Sequence, residues 1–242
     1  MRRQLSQAAR QRAASLWTYR AGVELEAAAR FSRLATELQA TGADPTVWGL
    51  AQQASRDESR HHVLCSDLAY SLGSATIPTD AAPPRPVHLR RDVPRERLLA
   101  EVVAMSCVTE TLSTALLLEM RSQARDSEVR DVVHEVLTDE VDHARLGWAH
   151  LAAEASRGPV GWPAPHLPRM LASTVHEELF EGPEPEDAVA EAVAGLGGLR
   201  RSSRVAVFME TMGTVVFPGL RRFGIDTTAA ETWLAERRAP LA

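Results

Sequence analysis

Two short motifs in the sequence each place a glutamate three positions before a histidine. The first pair is Glu58 and His61, in the run DESRH, and the second is Glu140 and His143, in the run DEVDH, 82 positions later. Residues three apart on an α-helix lie on the same face, so each carboxylate points to the same side as its imidazole. Carboxylate and imidazole groups on one helix face can bind a divalent metal ion.

Two further glutamates stand alone in apolar surroundings, each in the segment before one of these motifs. Glu110 is the only charged residue between positions 102 and 118. A buried carboxylate is costly unless a cation or a hydrogen-bond donor accompanies it, which predicts a partner for Glu110. Glu24 has alanines one helical turn away on both sides, whereas Glu26 lies ~200° around the helix from it. We therefore predict that Glu24 faces inward and that Glu26 lies in solvent or in the outer shell.

These residues together predict one metal centre with four carboxylates and two imidazoles. Such an oxygen-rich set, with one nitrogen per metal ion, suits iron, or alternatively manganese, better than zinc. The predicted ligands, which are also the predicted catalytic residues, are Glu24, Glu58, His61, Glu110, Glu140 and His143.

An outer shell of charged residues is predicted from the same two motifs. A histidine that binds a metal usually donates its second N–H to a carboxylate, which orients the ring. We expect Asp57 to hold His143 and Asp139 to hold His61, each from the opposite motif. Arg60 and the matching residue Asp142 are predicted to pair with each other or with these aspartates.

The helical pattern around the motifs predicts an all-α fold with four long helices. Apolar periodicity and capping residues place these helices at about 4–40, 45–72, 93–124 and 127–156. The proline-rich stretch between the second and third is long enough to cross the height of a four-helix bundle. We predict a bundle domain over residues 1–157 and a C-terminal helical extension over 158–242 that packs on it.

Composition restricts the class of protein further. The net charge of −5 provides no general attraction for nucleic acid or for an anionic membrane. We expect no membrane span, because no apolar run approaches the ~18 residues that a span requires. Cys65 and Cys107 stand in apolar helical patterns, which predicts two buried free thiols and a cytoplasmic protein.

The order of the motifs resembles that of the ferritin-like di-iron carboxylate family, and most closely its arylamine N-oxygenase subfamily. The resemblance covers about residues 10–157 and carries the six ligands listed above. It implies a ferritin-like bundle, two iron ions and a monooxygenase-type oxidation of a small organic substrate by O2 or peroxide. It also implies an external electron donor, a ferredoxin or a reductase; a homodimer is a further expectation. Two positions depart from the subfamily: Asp142 replaces an arginine, and Val136 replaces an additional histidine ligand.

Other functions remain open from the sequence alone. A ferroxidase or peroxidase that handles iron would use the same ligands without a pocket for an organic substrate. A hydroxylase of modified tRNA would need an arginine-lined path to the metal ions. A metal-free helical interaction module would require that four acidic residues and two histidines lie at the core by coincidence. His176 is a candidate lid residue or additional ligand, although a histidine beside two glutamates is more often exposed.

Overall fold

The computed structural model describes residues 5–81, 93–174 and 186–238. In these ranges 82% of the residues are helical and no strand occurs, which confirms the predicted all-α class. Four long helices carry both motifs and both lone glutamates: α1 (Gln7–Ala40), α2 (Pro45–Ser71), α3 (Pro94–Gln123) and α4 (Ser127–Arg157).

The ends of these helices follow from capping residues. The Ser6 hydroxyl accepts a hydrogen bond from the backbone N–H of Ala9 at the start of α1, and Asp126 does the same for α4. Asp44 caps α2, whose first residue, Pro45, has no N–H to leave unpaired. Most of the proline-rich connection, residues 82–92, lies outside the described residues.

Two apolar clusters, each built from all four long helices, fill the interior. One joins the beginnings of α1 and α4 to the ends of α2 and α3, through Trp17, Val133, Leu68 and Leu117. The other joins the opposite ends, through Phe31, Leu146, Ala51 and Met105. Helices α1 and α4 therefore run in one direction and α2 and α3 in the other. The end of α2 and the beginning of α3 therefore lie at opposite ends of the four helices.

Helix α3 changes from α-helical to π-helical hydrogen bonding in the segment that ends at Glu110. Residues Val103–Glu110 form a π-helical segment between two α-helical ones, which the regular helical pattern of the sequence did not predict. The facing helix α4 has Gly147 at this level, where a Cβ atom would lie only 2.7 Å from the backbone nitrogen of Cys107. The wide turn of α3 thus occupies space that only a glycine leaves free. Segments of this kind are frequent at functional sites.

The C-terminal part of the chain is helical as expected and covers the outer side of α3. Its described helices are α5 (Leu167–Thr174), α6 (Asp187–Ala194), α7 (201–222, with a π-helical stretch at Met212–Val216) and α8 (Thr228–Arg238). Phe208 and Phe217 of α7 are buried in one cluster with Val103 and Cys107 of α3. The turn after α6 also reaches α1, where the indole of Trp17 donates a hydrogen bond to a backbone carbonyl 2.9 Å away.

Helix α3 is long and apolar enough to cross a membrane by length and composition, contrary to the sequence-based expectation of no such segment. Its most apolar 18-residue window has a mean hydropathy of 1.4, and 61% of that window is buried inside the protein. The core helix of a soluble protein has the same properties. The expectation failed because burial between other helices selects the same apolar side chains as lipid does.

Candidate metal centre

The six predicted ligands meet between the two apolar clusters, in two overlapping groups. Each group offers four ligand atoms that lie within 4.8 Å of one another. Position 1 is formed by Glu24, Glu58, His61 and Glu140, and position 2 by Glu58, Glu110, Glu140 and His143. All six side chains are buried, with at most 5% of their surface exposed.

Glu58 and Glu140 belong to both positions. They come from the two ExxH motifs, whereas each remaining ligand belongs to one position only. Each position therefore offers three carboxylates and one imidazole, and the two positions have the same donor composition. A carboxylate has two oxygens, so a shared glutamate can bind a different metal ion with each.

The choice between Glu24 and Glu26 follows from the geometry of α1. Only 3% of the Glu24 surface is exposed. The side chain of Glu26 is 38% exposed, and its carboxylate lies 3.7 Å from the guanidinium of Arg30. Alanines at positions 21 and 28 on the inner face leave room for the Glu24 carboxylate beside the other ligands.

The two imidazoles differ in their contacts outside the centre: His61 is hydrogen-bonded to an aspartate of the other motif, and His143 is not. The Nδ1 atom of His61 lies 3.3 Å from a carboxylate oxygen of Glu58, and its Nε2 lies 2.9 Å from Asp139. The Nδ1 atom of His143 lies 3.1 Å from Glu58, and its Nε2 lies 3.6 Å from Asp57. The second aspartate is beyond hydrogen-bonding distance, and Nε2 of His143 has no hydrogen-bond partner among the described residues. The expected contact between Asp139 and His61 is thus present, whereas Asp57 is only near His143. Both Nδ1 atoms face the carboxylates of the centre, where they could bind metal.

Arg60 connects the two aspartates at the surface. Its guanidinium forms ion pairs with Asp139 and Glu135 of α4 and lies 3.5 Å from Asp57 of α2. This side chain therefore ties the outer shells of both histidines together across the α2–α4 interface.

The prediction that Asp142 belongs to this outer shell is wrong. Its side chain is 55% exposed and pairs with Arg145 at 2.8 Å, one turn along α4. Position 142 is two residues after Glu140, which is ~200° around an α-helix, so the two side chains point in opposite directions. Arg60 has the same offset from Glu58 but reaches back because its side chain is long.

The buried carboxylates perturb one another strongly. Burial, followed by the negative charge of Glu140, raises the pKa values of Glu58 and Glu110 well above the ordinary value for glutamate. Burial acts in the same direction on Glu140, but hydrogen bonds and charge from His143 outweigh it and lower its pKa. Burial lowers the pKa of His143, yet contacts with Glu140 and Glu58 raise it to about 12. The raised pKa values favour bound protons on Glu58, Glu110 and His143 when no metal ion is present. Divalent ions could take the place of these protons, which fits a metal site.

Two contacts of the ligands were not predicted from the sequence. The guanidinium of Arg20, one turn before Glu24, donates to its carboxylate at 3.1 Å, and only 17% of the arginine side chain is exposed. The hydroxyl of Ser113 donates to Glu140 at 3.3 Å. The i,i+4 spacing of Arg20 and Glu24 could have indicated the first contact, but such pairs usually lie at the surface. Nothing in the sequence indicated the second.

Of the additional residues considered, none in the described ranges joins the six. His176 lies outside the described residues. Val136 is buried among apolar side chains. His150 is buried two turns beyond His143, where neither ring nitrogen has a hydrogen-bond partner among the described residues, and burial lowers its pKa.

A surface groove of about 410 Å³ lies on the outer side of α1, away from the ligands. It is lined by residues of α1 and of the segment after α2, among them Tyr19, Gly22, Ser74 and Pro78. None of the six ligands contributes to it. Comparison of the chain with protein-family models and with curated proteins gives no match, and the geometry of the centre is therefore the basis for inferring a function.

Proposed function

We propose that the protein is a ferritin-like, non-haem di-iron oxidoreductase that uses O2 or peroxide to oxidise a small organic substrate. The observation that carries this proposal is the sharing of Glu58 and Glu140 between two four-ligand groups of equal composition. Two carboxylates shared in this way suit a pair of metal ions better than a single ion. The remaining four ligands complete the two positions separately.

The ligand types favour iron, with manganese as the alternative. Six carboxylate and imidazole groups without thiolate form a hard site. The bound ions would supply the electron transfer and oxygen activation that no amino-acid side chain provides. The chain contributes the ligands, orients the imidazole of His61 through Asp139, and surrounds the centre with the two apolar clusters that exclude water.

The arrangement of the helices supports assignment to the ferritin-like class. Bundles of that class have one long crossover, with a lone glutamate on each of two helices and an ExxH motif on each of the other two. Here α1 and α3 carry Glu24 and Glu110, α2 and α4 carry the motifs, and the parallel helices α2 and α3 need a long connection. An external electron donor and a cytoplasmic location complete the proposal.

Oxidation of an organic substrate is favoured by the surroundings of Glu110. Small and hydroxylated residues follow it on α3, among them Ser113 and Thr114, and the C-terminal helices add a second layer over this helix. A simple iron-oxidising protein does not require that layer. The second candidate function is a ferroxidase or peroxidase, and the observation in its favour is that the groove described above lies away from the centre.

The test is metal loading followed by exposure to oxygen. Protein loaded anaerobically with ferrous iron should bind about two ions per chain. Mixing with O2 should give a transient visible absorption band that decays faster when a suitable substrate is present. Rapid oxidation without any substrate effect would favour the ferroxidase. A folded protein that binds no stoichiometric metal would exclude both functions.

A matched pair of variants on α1 separates specific from general effects. Glu24→Gln should lose about half of the bound iron and the absorption band, because Glu24 belongs to position 1. Glu26→Gln, two residues further along the same helix, should retain both, since Glu26 lies at the surface beside Arg30.

A further inference from the structure

We infer that the two metal positions differ in affinity, with position 2 filling first and position 1 weakened by the cation of Arg20. This inference rests on the proposed function, because it concerns the order in which the same centre is loaded. Its basis is an asymmetry around two positions that are otherwise equivalent.

The two donor sets have the same composition. Both contain Glu58 and Glu140, and each adds one glutamate and one histidine. Arg60 also acts on both, because it contacts Asp139 beside His61 and lies 3.5 Å from Asp57 on the side of His143. A cation that bonds directly to a ligand of one position only would therefore make the two affinities unequal.

Arg20 is such a cation: its direct bond is to Glu24 of position 1, and its charge acts also on Glu140, which both positions share. Its Nη2 atom donates to Oε1 of Glu24 at 3.1 Å, and its Nη1 lies 3.8 Å from the sulfur of Met120. The thiol of Cys65, which is fully buried, lies within hydrogen-bonding reach of the same guanidinium. Arginine keeps its charge in proteins, so this cation is permanent.

The ligands of position 2 that are not shared have no arginine bonded to them; the charged neighbour of His143 is Asp57, at 3.6 Å. The ring of Phe31 packs against that of His143 with 5.3 Å between the ring centres. The hydroxyl of Thr114, one turn after Glu110, bonds to the Glu110 backbone carbonyl and leaves the carboxylate available. No arginine side chain forms an ion pair with Glu110 among the described contacts.

Two effects of Arg20 oppose binding at position 1. The guanidinium holds one of the two oxygens of Glu24, and its positive charge repels a divalent ion at a neighbouring oxygen. Repulsion between like charges is strong where water is excluded and doubles for a divalent ion. The direct contact of Asp139 with His61 acts in the opposite sense, but outer-shell hydrogen bonds of this kind change metal affinity by roughly 10–100-fold. A full charge bonded to a ligand outweighs that contribution.

The experiment is a titration of the metal-free protein with Co²⁺ or Mn²⁺, followed by calorimetry and, for Co²⁺, by visible absorption. The wild-type protein should bind two ions in two steps that differ by about tenfold or more in affinity. His143→Ala should remove the tighter step and His61→Ala the weaker one, which assigns each step to its position.

Arginine variants then test the cause of the difference. Arg20→Met should tighten binding at position 1 by about a hundredfold or more and change position 2 much less. Arg20→Lys, which keeps the charge, should retain the difference. Arg30→Met on the same helix, whose partner is the exposed Glu26, serves as the control and should alter neither step.

The outcomes separate this inference from the proposed function. Two equal steps in the wild-type protein, or an unchanged gap in Arg20→Met, would overturn the inference and leave the metal centre intact. Loss of the tighter step in His61→Ala rather than in His143→Ala would overturn it even if Arg20→Met failed to fold. A wild-type protein that binds neither ion would instead refute the metal centre.

Discussion

The Nε2 atom of His61 lies 2.9 Å from the carboxylate of Asp139, which immediately precedes a ligand of the other motif. Asp57 stands in the reciprocal relation to His143, at 3.6 Å. Each motif thus supplies two ligands to the centre and an aspartate that faces the histidine of the other, but only Asp139 is within hydrogen-bonding distance. A shift of α2 relative to α4 would break that contact.

This relation predicts that Asp139→Asn weakens metal binding although Asp139 is not a ligand. Loss of the carboxylate lowers the basicity of His61 and frees its ring to rotate, so the affinity of position 1 should fall by roughly 10–100-fold. Calorimetric titration with Mn²⁺ measures the change. The matched control is Asp142→Asn in the same motif, which should leave the affinity unaltered because Asp142 pairs with Arg145 at the surface.

The shared ligands predict different metal stoichiometries for two glutamate variants. Glu58→Ala removes an oxygen donor from both positions and should abolish binding of both ions, whereas Glu110→Ala should leave one ion at position 1. Metal analysis after gel filtration distinguishes zero, one and two ions per chain. Equal loss in the two variants would contradict the assignment of Glu58 to both positions.

The raised pKa values predict how the stability of the metal-free protein depends on pH. Glu58, Glu110 and His143 bind protons more tightly in the folded than in the unfolded chain. Their contribution to stability is complete below the unfolded values, ~4.3 for Glu and ~6.5 for His, and is lost as the pH rises through the folded values. The free energy of unfolding should therefore fall between pH ~5 and pH ~9.

Urea denaturation in the presence of a chelator measures this dependence. Glu140 and Asp139, whose pKa values are lowered, stabilise the fold above the ordinary pKa of a carboxyl group and lose that effect only in acid. They therefore do not mask the predicted fall. Saturating Mn²⁺ should suppress it, since the metal replaces the protons. Stability of the metal-free protein that increases toward pH ~9 would be inconsistent with this cluster.

The close approach of α4 to the π-helical segment predicts that Gly147→Ala destabilises the protein. The added methyl group would lie 2.7 Å from the backbone nitrogen and 2.9 Å from the sulfur of Cys107, and backbone cannot move aside easily. We expect a loss of about 1–3 kcal/mol in the free energy of unfolding. Gly49→Ala in α2 is the control, because no atom lies within 4 Å of the added group and alanine favours a helix. Its stability should be equal to or greater than that of the wild type.

The long helices and the ligand set were accessible from the sequence because they depend on local spacing. Glu58 and His61 share a helix face whatever surrounds them, and a proline or a capping aspartate marks a helix end from its own chemistry. The burial of Glu110 followed from the absence of any other charge nearby. These properties need no knowledge of which helix packs against which.

The features that sequence reasoning missed depend on contacts between distant segments. The π-helical turn of α3 relates to the space left by Gly147, which is 37 residues beyond Glu110 in the chain. From the sequence, Arg20 and Glu24 form an i,i+4 pair of the kind that usually lies at the surface. The packing of α1 buries the helix face that carries this pair. Asp142 was assigned by analogy between the motifs, and the angle between successive residues on a helix excludes it.

The C-terminal helices have a consequence for the order of events during synthesis. The last ligand, His143, precedes them in the chain, yet Val103 and Cys107 in the segment before Glu110 are buried by side chains of α7. Chains fold progressively as they emerge from the ribosome, so a nascent chain that ends near residue 157 holds every ligand but has an uncovered α3. All six ligands therefore precede in the chain the helices that cover α3, and a nascent chain would leave that face of α3 exposed until α7 is synthesised.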